Sequence, residues 1–148
     1  MDKLYKVSEV KLSYRNNQPQ RIHVRTSADC YKVLINNWNK RELEHRESFK
    51  VLLLNQANIV LGIYTISVGG IAGSGFDARL ILQAALLSNA STIVLAHNHP
   101  SGNLNPGYGD VEVTKLVQEA ARVMTITVFD HIIVCRDTFF SFANKGML

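Results

Sequence analysis

The stretch STIVLAHNHPSGNLNPGYGD, residues 91–110, joins a short apolar run to the beginning of a longer helical pattern. STIVLA predicts a buried strand because its apolar residues follow one another without polar alternation. Pro100 and Gly102 then predict a turn that ends the strand. Residues 111–124, VEVTKLVQEAARVM, carry apolar side chains at helical spacing. The stretch therefore predicts a strand, a turn and a helix in succession.

Three side chains in this stretch have the chemistry of metal ligands. His97 and His99 are expected to project from the same face of the strand end, because alternate residues of a strand point the same way. Asp110 is expected in the first turn of the helix. Two imidazoles and a carboxylate leave a fourth tetrahedral position for water, as in a catalytic zinc site. Zinc lowers the pKa of such a water to about 7. The spacing therefore predicts a hydrolytic metal centre. The alternative is that His97 and His99 are hydrogen-bonded histidines at a strand end and that Asp110 caps the helix.

Other metal motifs do not fit the chain. Zinc deaminases use H-x-E with P-C-x-x-C, but no cysteine follows Pro100 and the second strand-end residue is His99. The H-E-x-x-H pattern of zincins does not occur in the sequence. Phosphodiester hydrolysis is a weaker alternative, because such sites commonly gather more carboxylates around two metals.

The rest of the chain predicts a mixed sheet with helices packed on it, in the order β-β-α-β-β-α-β-α-β-β. The helix over residues 26–38 is expected to be capped by Ser27. The predicted strands span residues 4–14, 21–25, 48–55, 59–70, 91–96, 125–135 and 138–143, and the other helices span residues 76–90 and 110–124.

The glycine-rich segment GGIAGSG, residues 69–75, invites comparison with a phosphate-binding loop. It has neither the lysine of G-x-x-x-x-G-K-[ST] nor the G-x-G-x-x-G spacing. We interpret it as a bend before a helix. Ser67 and Ser74 lack the histidine and acid partners expected of a nucleophile.

Composition is that of an ordinary globular domain: 148 residues, 47% hydrophobic and 19% charged. No apolar segment reaches the roughly 18 residues of a membrane span, and no signal peptide is recognisable. Cys30 and Cys135 are predicted to be inert core thiols, so we expect a cytoplasmic protein. The first 50 residues carry eleven Lys/Arg against six Asp/Glu, which fits either a solvated surface or contact with nucleic acid.

With His97-Asn98-His99-Pro100-Ser101-Gly102, Pro106 and Asp110 in place, the chain resembles the RadC-type branch of the JAB/MPN (JAMM) metalloprotease-like family. RESFKVLLLNQANIVLGIYTISVGG and DHIIVCRDTFFSFANKG are also similar to that family. The resemblance implies a mixed α/β fold with cytidine-deaminase-like layering. It implies one domain over residues 1–148, in which residues 1–24 are a weakly matched strand extension without a helix-hairpin-helix module.

The resemblance also implies one Zn²⁺ held by His97, His99 and Asp110, and a glutamate from an earlier strand that takes the proton of the zinc-bound water. The matching residue is Glu47. The residues alone leave Glu47 and Glu44 open for this role, whereas Glu42 and Glu44 also fit a solvated segment.

One position departs from the family pattern, because Gly107 occupies the place of a serine that is thought to help hold the tetrahedral intermediate. Ser101 or Tyr108 could supply the missing hydroxyl. Arg79 fits either a substrate contact or a structural ion pair. His131 is expected to be a hydrogen-bonded core residue beside the metal ligands rather than a ligand.

The sequence thus predicts a zinc hydrolase that cleaves a peptide or isopeptide bond of an unknown protein or peptide substrate. The alternative is a weakly active or inactive metal-binding module that associates with DNA or a protein, in keeping with the family's link to DNA repair. The C-terminal strands offer apolar edges through which a homodimer could form.

Overall fold

The computed structural model describes residues 3–69 and 76–148. One five-stranded sheet, with strand order β2-β1-β3-β4-β5, is the centre of the fold. β3 and β4 are parallel, and the other neighbouring strands are antiparallel. The elements are α1 (Ser27–Asn36), β1 (Ser48–Leu54), β2 (Val60–Val68), α2 (Ala78–Leu87), β3 (Thr92–Asn98), α3 (Tyr108–Val123), β4 (Thr127–Val134) and β5 (Phe139–Ser141).

Both faces of the sheet are covered, which explains the uninterrupted apolar runs in β1 and β3. Leu52 and Leu54 of β1 face the cluster that α1 completes through Leu34. Val51 and Leu53 face the opposite cluster, to which α2 and α3 contribute. This is the predicted mixed α/β architecture, and it is consistent with the fold implied by the resemblance.

The turns follow the predicted chemistry. Asn58 adopts a left-handed φ of 56° in the connection between β1 and β2. Beyond β3, the Gly102 amide donates to the His99 carbonyl (2.9 Å), and Gly102 has a φ of 78°, which glycine adopts without steric cost. The Pro100–Gly102 turn therefore separates the two histidines from α3.

The predicted cap of α1 is displaced by one residue. Thr26 is the N-cap: its side chain accepts from the Asp29 amide, and the Asp29 carboxylate accepts from the Thr26 amide. Ser27 is instead the first residue of the helix and is buried. Its hydroxyl lies 3.1 Å from that of Ser141. Ser27 therefore makes a buried tertiary hydrogen bond instead of capping the helix.

The two predicted N-terminal strands are wrong. Lys3–Tyr5 is a short 3-10 helix, and the described residues from 6 to 22 form no strand. Val10 and Leu12 are exposed. The alternating segment that contains them does not pair with a strand of the sheet, so its apolar side chains are not buried. His23 makes a single bridge to Ile59, and regular pairing does not extend from it.

Most of the glycine-rich segment and Ser74 lie outside the described residues. α2 begins just beyond them, where the Asp77 side chain accepts from the Arg79 amide. Among the described residues, no helix is both long enough and apolar enough to span a membrane.

Candidate metal centre

The end of β3 brings His97 to the middle of the site. His97 is 1% exposed and lies directly opposite Phe49 of β1. The two rings are parallel, with centroids 6.0 Å apart. His99 follows two residues later on the same face and is only partly buried. The strand thus presents one enclosed imidazole and one near the surface, as its alternation predicts.

Asp110 completes the cluster from the first turn of α3. Its Oδ1 lies 3.2 Å from His97 Nε2, and its Oδ2 lies 3.5 Å from His99 Nε2. The two Nε2 atoms are 2.9 Å apart. One ligand atom from each residue therefore lies within 4.8 Å of the others, so the three side chains could hold a metal ion.

A buried hydrogen-bond chain sets the proton on His97. The Thr114 hydroxyl donates to the Asp110 carbonyl (2.6 Å), so the same oxygen accepts from His131 Nδ1 (2.6 Å). Neutral His131 then accepts at Nε2 from His97 Nδ1 (2.8 Å). This tautomer, inferred from the network, leaves a lone pair on His97 Nε2, directed at the cluster. His131 is fully buried and hydrogen-bonded to His97, as predicted for a core histidine beside the cluster.

His99 is arranged in the same way by a different partner. Its Nδ1 donates to the Asn103 carbonyl (2.5 Å), because a carbonyl can only accept. In the neutral ring the lone pair of His99 Nε2 therefore also faces the cluster, next to the Asp110 carboxylate. Three groups that accept hydrogen bonds converge with no donor among them, and such a set needs a proton or a cation at its centre.

The pKa directions agree with this shortage of positive charge. The hydrogen bond with Asp110, opposed by burial, raises the pKa of His99 above its ordinary value. Burial would raise the pKa of Asp110, but hydrogen bonds with His97 and His99 through a proton at the centre of the cluster, the charge of His97 and the Gly107 amide hold it well below the usual range. Burial holds the pKa of His131 well below its ordinary value, so that ring is neutral.

The backbone fixes the orientation of Asp110. The Gly107 amide donates to Asp110 Oδ2 (2.7 Å), which is half of a capping box, since glycine has no side chain to return the bond. Gly107 is the N-cap of α3, with a φ of −76° that other residues adopt readily. A Cβ at this position would lie 3.4 Å from Asp110 Oδ2, so it would fit. Gly107 is therefore not required by the local geometry.

Glu47 lies beside the cluster because of the pairing between β1 and β3. Phe49 is opposite His97, so Glu47, just before β1, lies at the same end of the sheet as His99, just beyond β3. The charge of Glu47 contributes to the raised pKa of His99, as expected for neighbours. Glu44 instead points to the surface, where it pairs with Arg136 at 2.6 Å.

The remaining candidate residues are more peripheral. Ser101 is exposed, and its Oγ accepts from the Asn103 amide (3.3 Å). Tyr108 is 82% exposed at the start of α3. Arg79 forms its hydrogen bonds and ion pair with Asp77 in the described part of the chain, so the structural role accounts for it.

The two cysteines are not part of the candidate metal cluster. Cys30 and Cys135 are buried free thiols. Burial raises the pKa of Cys30 to about 12 and also raises that of Cys135. Both thiols therefore stay protonated and unreactive near neutral pH, as predicted.

Sequence reasoning missed two residues that shape the site. Thr114 lies one helical turn after Asp110, on the same face of α3. A polar residue on the buried face of a predicted helix was the signal that could have indicated a role beside Asp110. Asn98 separates the two histidines and is completely buried. A buried amide between the two candidate ligands has to find hydrogen-bond partners, and those partners lie near Glu47.

Comparison with known proteins identifies similar chains. The family model of the RadC-like JAB domain matches residues 24–147. A UPF0758 protein of Flavobacterium johnsoniae is 40% identical over 106 residues, which is 72% of this chain and 46% of the relative. A UPF0758 protein of Salinibacter ruber is 37% identical over 82% of this chain and 49% of the relative. A UPF0758 protein of Rubrobacter xylanophilus is 45% identical over 70% of this chain and 45% of the relative. The chain spans about half the length of these curated relatives.

Proposed function

Because the chain belongs to the family of RadC-like JAB domains, we propose that it is a zinc-dependent hydrolase that cleaves a peptide or isopeptide bond. The observation that carries the proposal is the convergence of lone pairs from His97, His99 and Asp110. Nitrogen and carboxylate ligands of this kind suit zinc, and three protein ligands leave a position for the reacting groups.

Each ligand has a distinct role in the proposal. His97 and His99 bind through Nε2 in the tautomers that their Nδ1 partners select, and Asp110 binds through its carboxylate. When bound, the zinc supplies Lewis acidity, which polarises a carbonyl and lowers the pKa of water. His97 is buried, whereas His99 and Asp110 are partly exposed, so the proposed centre is open to solvent on the side of His99 and Asp110.

Glu47 is the general base of the proposed reaction. Its carboxylate takes a proton from the attacking water and later donates that proton to the nitrogen of the leaving amine. The position of Glu47 beside His99 supports this role, since a base has to lie within hydrogen-bond reach of the reacting water. The pairing of Glu44 with Arg136 makes that residue the poorer candidate.

Gly107 favours a second function, a metal-binding module with little catalysis. The family's serine would offer a hydroxyl to a developing oxyanion, and glycine offers none. Loss of one such donor costs about 2.7–4 kcal/mol in other hydrolases. In this alternative the metal centre stabilises a domain that associates with DNA or with another protein.

The test is hydrolysis of quenched-fluorescence peptides and isopeptide-linked substrates by the zinc-loaded protein. We expect Glu47→Gln to lower kcat by about 10²–10⁴-fold with zinc retained. Glu44→Gln is the matched control and should keep full activity. Zinc binding without hydrolysis of any substrate would favour the module, and equal activity of Glu47→Gln and the parent would exclude Glu47 as the base.

A further inference from the structure

Asn98 lies between the two histidine ligands in the sequence, but its side chain is on the other face of β3. Ile93 and Leu95 of β3 pack in the cluster on the α2 and α3 side, and Val94 and Ala96 pack in the cluster on the α1 side. Alternation along the strand therefore turns His97 to the first side and Asn98, which is completely buried, to the second. The backbone that leads into β1 packs against the Asn98 side chain. The end of β3 therefore presents the candidate metal ligands on one face, and on the other face it contacts the backbone on both sides of Glu47.

The Asn98 amide binds the backbone on both sides of Glu47. Asn98 Nδ2 donates to the carbonyl of Arg46 (2.7 Å), which belongs to the peptide bond before Glu47. Asn98 Oδ1 accepts from the amide of Ser48 (2.8 Å), which belongs to the peptide bond after Glu47. A second donation, to the Leu43 carbonyl (2.7 Å), fixes the approach of the chain.

Asparagine fits these partners in a way that its nearest relatives do not. The two protons of Nδ2 meet two carbonyls, and Oδ1 also lies 3.4 Å from the Ser48 hydroxyl, so the amide is fully used. An aspartate would direct an acceptor at the carbonyls of Leu43 and Arg46. An apolar residue would remove the side-chain partner of all three backbone groups, and the bonds to Leu43 and Ser48 are buried.

We propose that Asn98 is the positioning residue for the general base: it holds Glu47 at a fixed distance from the metal ligands that flank Asn98 in sequence. The inference rests on the proposed function of Glu47 and adds a residue to it. Asn98 does not touch the metal or the substrate. Its effect is mechanical, because the side chain of Glu47 can hold its position only if both adjoining peptide units are held. A displacement of about 1 Å in such a group costs about a hundredfold in rate.

The experiment compares Asn98→Ala and Asn98→Asp with Glu47→Gln and with the double variant Asn98→Ala/Glu47→Gln, all in the zinc-loaded chain. We expect the Asn98 variants to bind zinc within about threefold of the parent, since the ligands are untouched, and to lose about a hundredfold in kcat. The double variant should be no slower than Glu47→Gln alone, because a misplaced base and an absent base are equivalent. Leu34→Ala, a buried change on the same face of the sheet, controls for general destabilisation and should keep kcat.

Two readouts do not depend on hydrolysis. In the Co²⁺-substituted protein, Asn98→Ala and Glu47→Gln should change the visible absorption of the metal in the same way, while Leu34→Ala should not change it. Exchange of the Ser48 amide proton should accelerate at least tenfold in Asn98→Ala. Full kcat in Asn98→Ala, or losses that add in the double variant, would overturn the inference. If the parent hydrolyses nothing, the proposed function fails, and an unchanged Co²⁺ spectrum and Ser48 exchange in Asn98→Ala would then overturn the inference separately.

Discussion

Phe49 and His97 are directly opposed in the antiparallel pairing of β1 and β3, and their rings are parallel. Opposed residues face the same side of a sheet, so this pair fixes which glutamate comes near His99. A slip of one residue would turn every side chain of β1 to the other face, and Glu47 would leave the metal side. The buried apolar register of β1 and β3 therefore determines the chemistry at their ends.

Loss of the Thr114 hydroxyl should weaken metal binding even though Thr114 is not a ligand. In Thr114→Val, His131 Nδ1 loses the hydroxyl that accepts its proton, so the tautomer of His131 is no longer fixed. His131 Nε2 then no longer holds the proton of His97 on Nδ1, and the lone pair on His97 Nε2 is no longer ensured. Changes of this kind typically cost 10–100-fold in metal affinity, and we expect that range. Competition with a fluorescent chelator measures it.

Ser88→Ala is the matched control for Thr114→Val. Ser88 is also buried at a helix, and its hydroxyl donates to the Ala84 carbonyl (2.8 Å), four residues earlier, as Thr114 does to Asp110. It has no histidine partner in the described residues. Equal losses of zinc affinity in the two variants would show that helix destabilisation, not tautomer selection, accounts for the effect.

Gly107→Ser should raise the rate of hydrolysis. A Cβ fits at this position, and a serine can cap α3 through its hydroxyl, which adds a few tenths of a kcal/mol to stability. The same hydroxyl supplies the donor that glycine lacks, so we expect kcat to increase up to about a hundredfold. Gly107→Ala fits the same space without a hydroxyl and should show no gain; a similar gain in both variants would argue against a role for the hydroxyl.

Zinc affinity should fall with decreasing pH. The pKa of His99 is raised by Asp110, so at lower pH the metal has to displace a proton from the imidazole. Below that raised pKa we expect the dissociation constant to increase about tenfold per pH unit for one displaced proton. Titrations at several pH values test this, with His23→Asn, an exposed histidine change, as a control with the same slope. A dissociation constant that does not change with pH would contradict competition between the metal and a proton on His99.

The metal-free protein should show the opposite trend in stability. A folded-state pKa above the unfolded value contributes stability that is complete below about 6.5 and is lost as the pH rises through the raised pKa of His99. Melting temperatures of the metal-free chain should therefore decrease over that range, whereas zinc-loaded protein should become more stable. Parallel curves for the two forms would contradict this linkage.

The central fold and the convergence of His97, His99 and Asp110 were predictable because they depend on local patterns. Apolar runs bounded by turns define β1 and β3, and the alternation of side chains along a strand places His97 and His99 on one face. The N-terminal strand prediction failed for residues 4–14 because a strand needs a neighbour, and alternation alone does not provide one. Asn98 and Thr114 could not be assigned from sequence, because their roles depend on partners that are distant in the chain or on the face of a helix.

The most direct test of the metal centre is anomalous X-ray diffraction at the zinc absorption edge from crystals of the zinc-loaded chain. We expect one strong anomalous peak per chain, about 2.0–2.2 Å from His97 Nε2, His99 Nε2 and an Asp110 carboxylate oxygen, and no such peak in His97→Ala. Anomalous density that lies elsewhere, or its absence from this cluster at saturating zinc, would contradict the assignment.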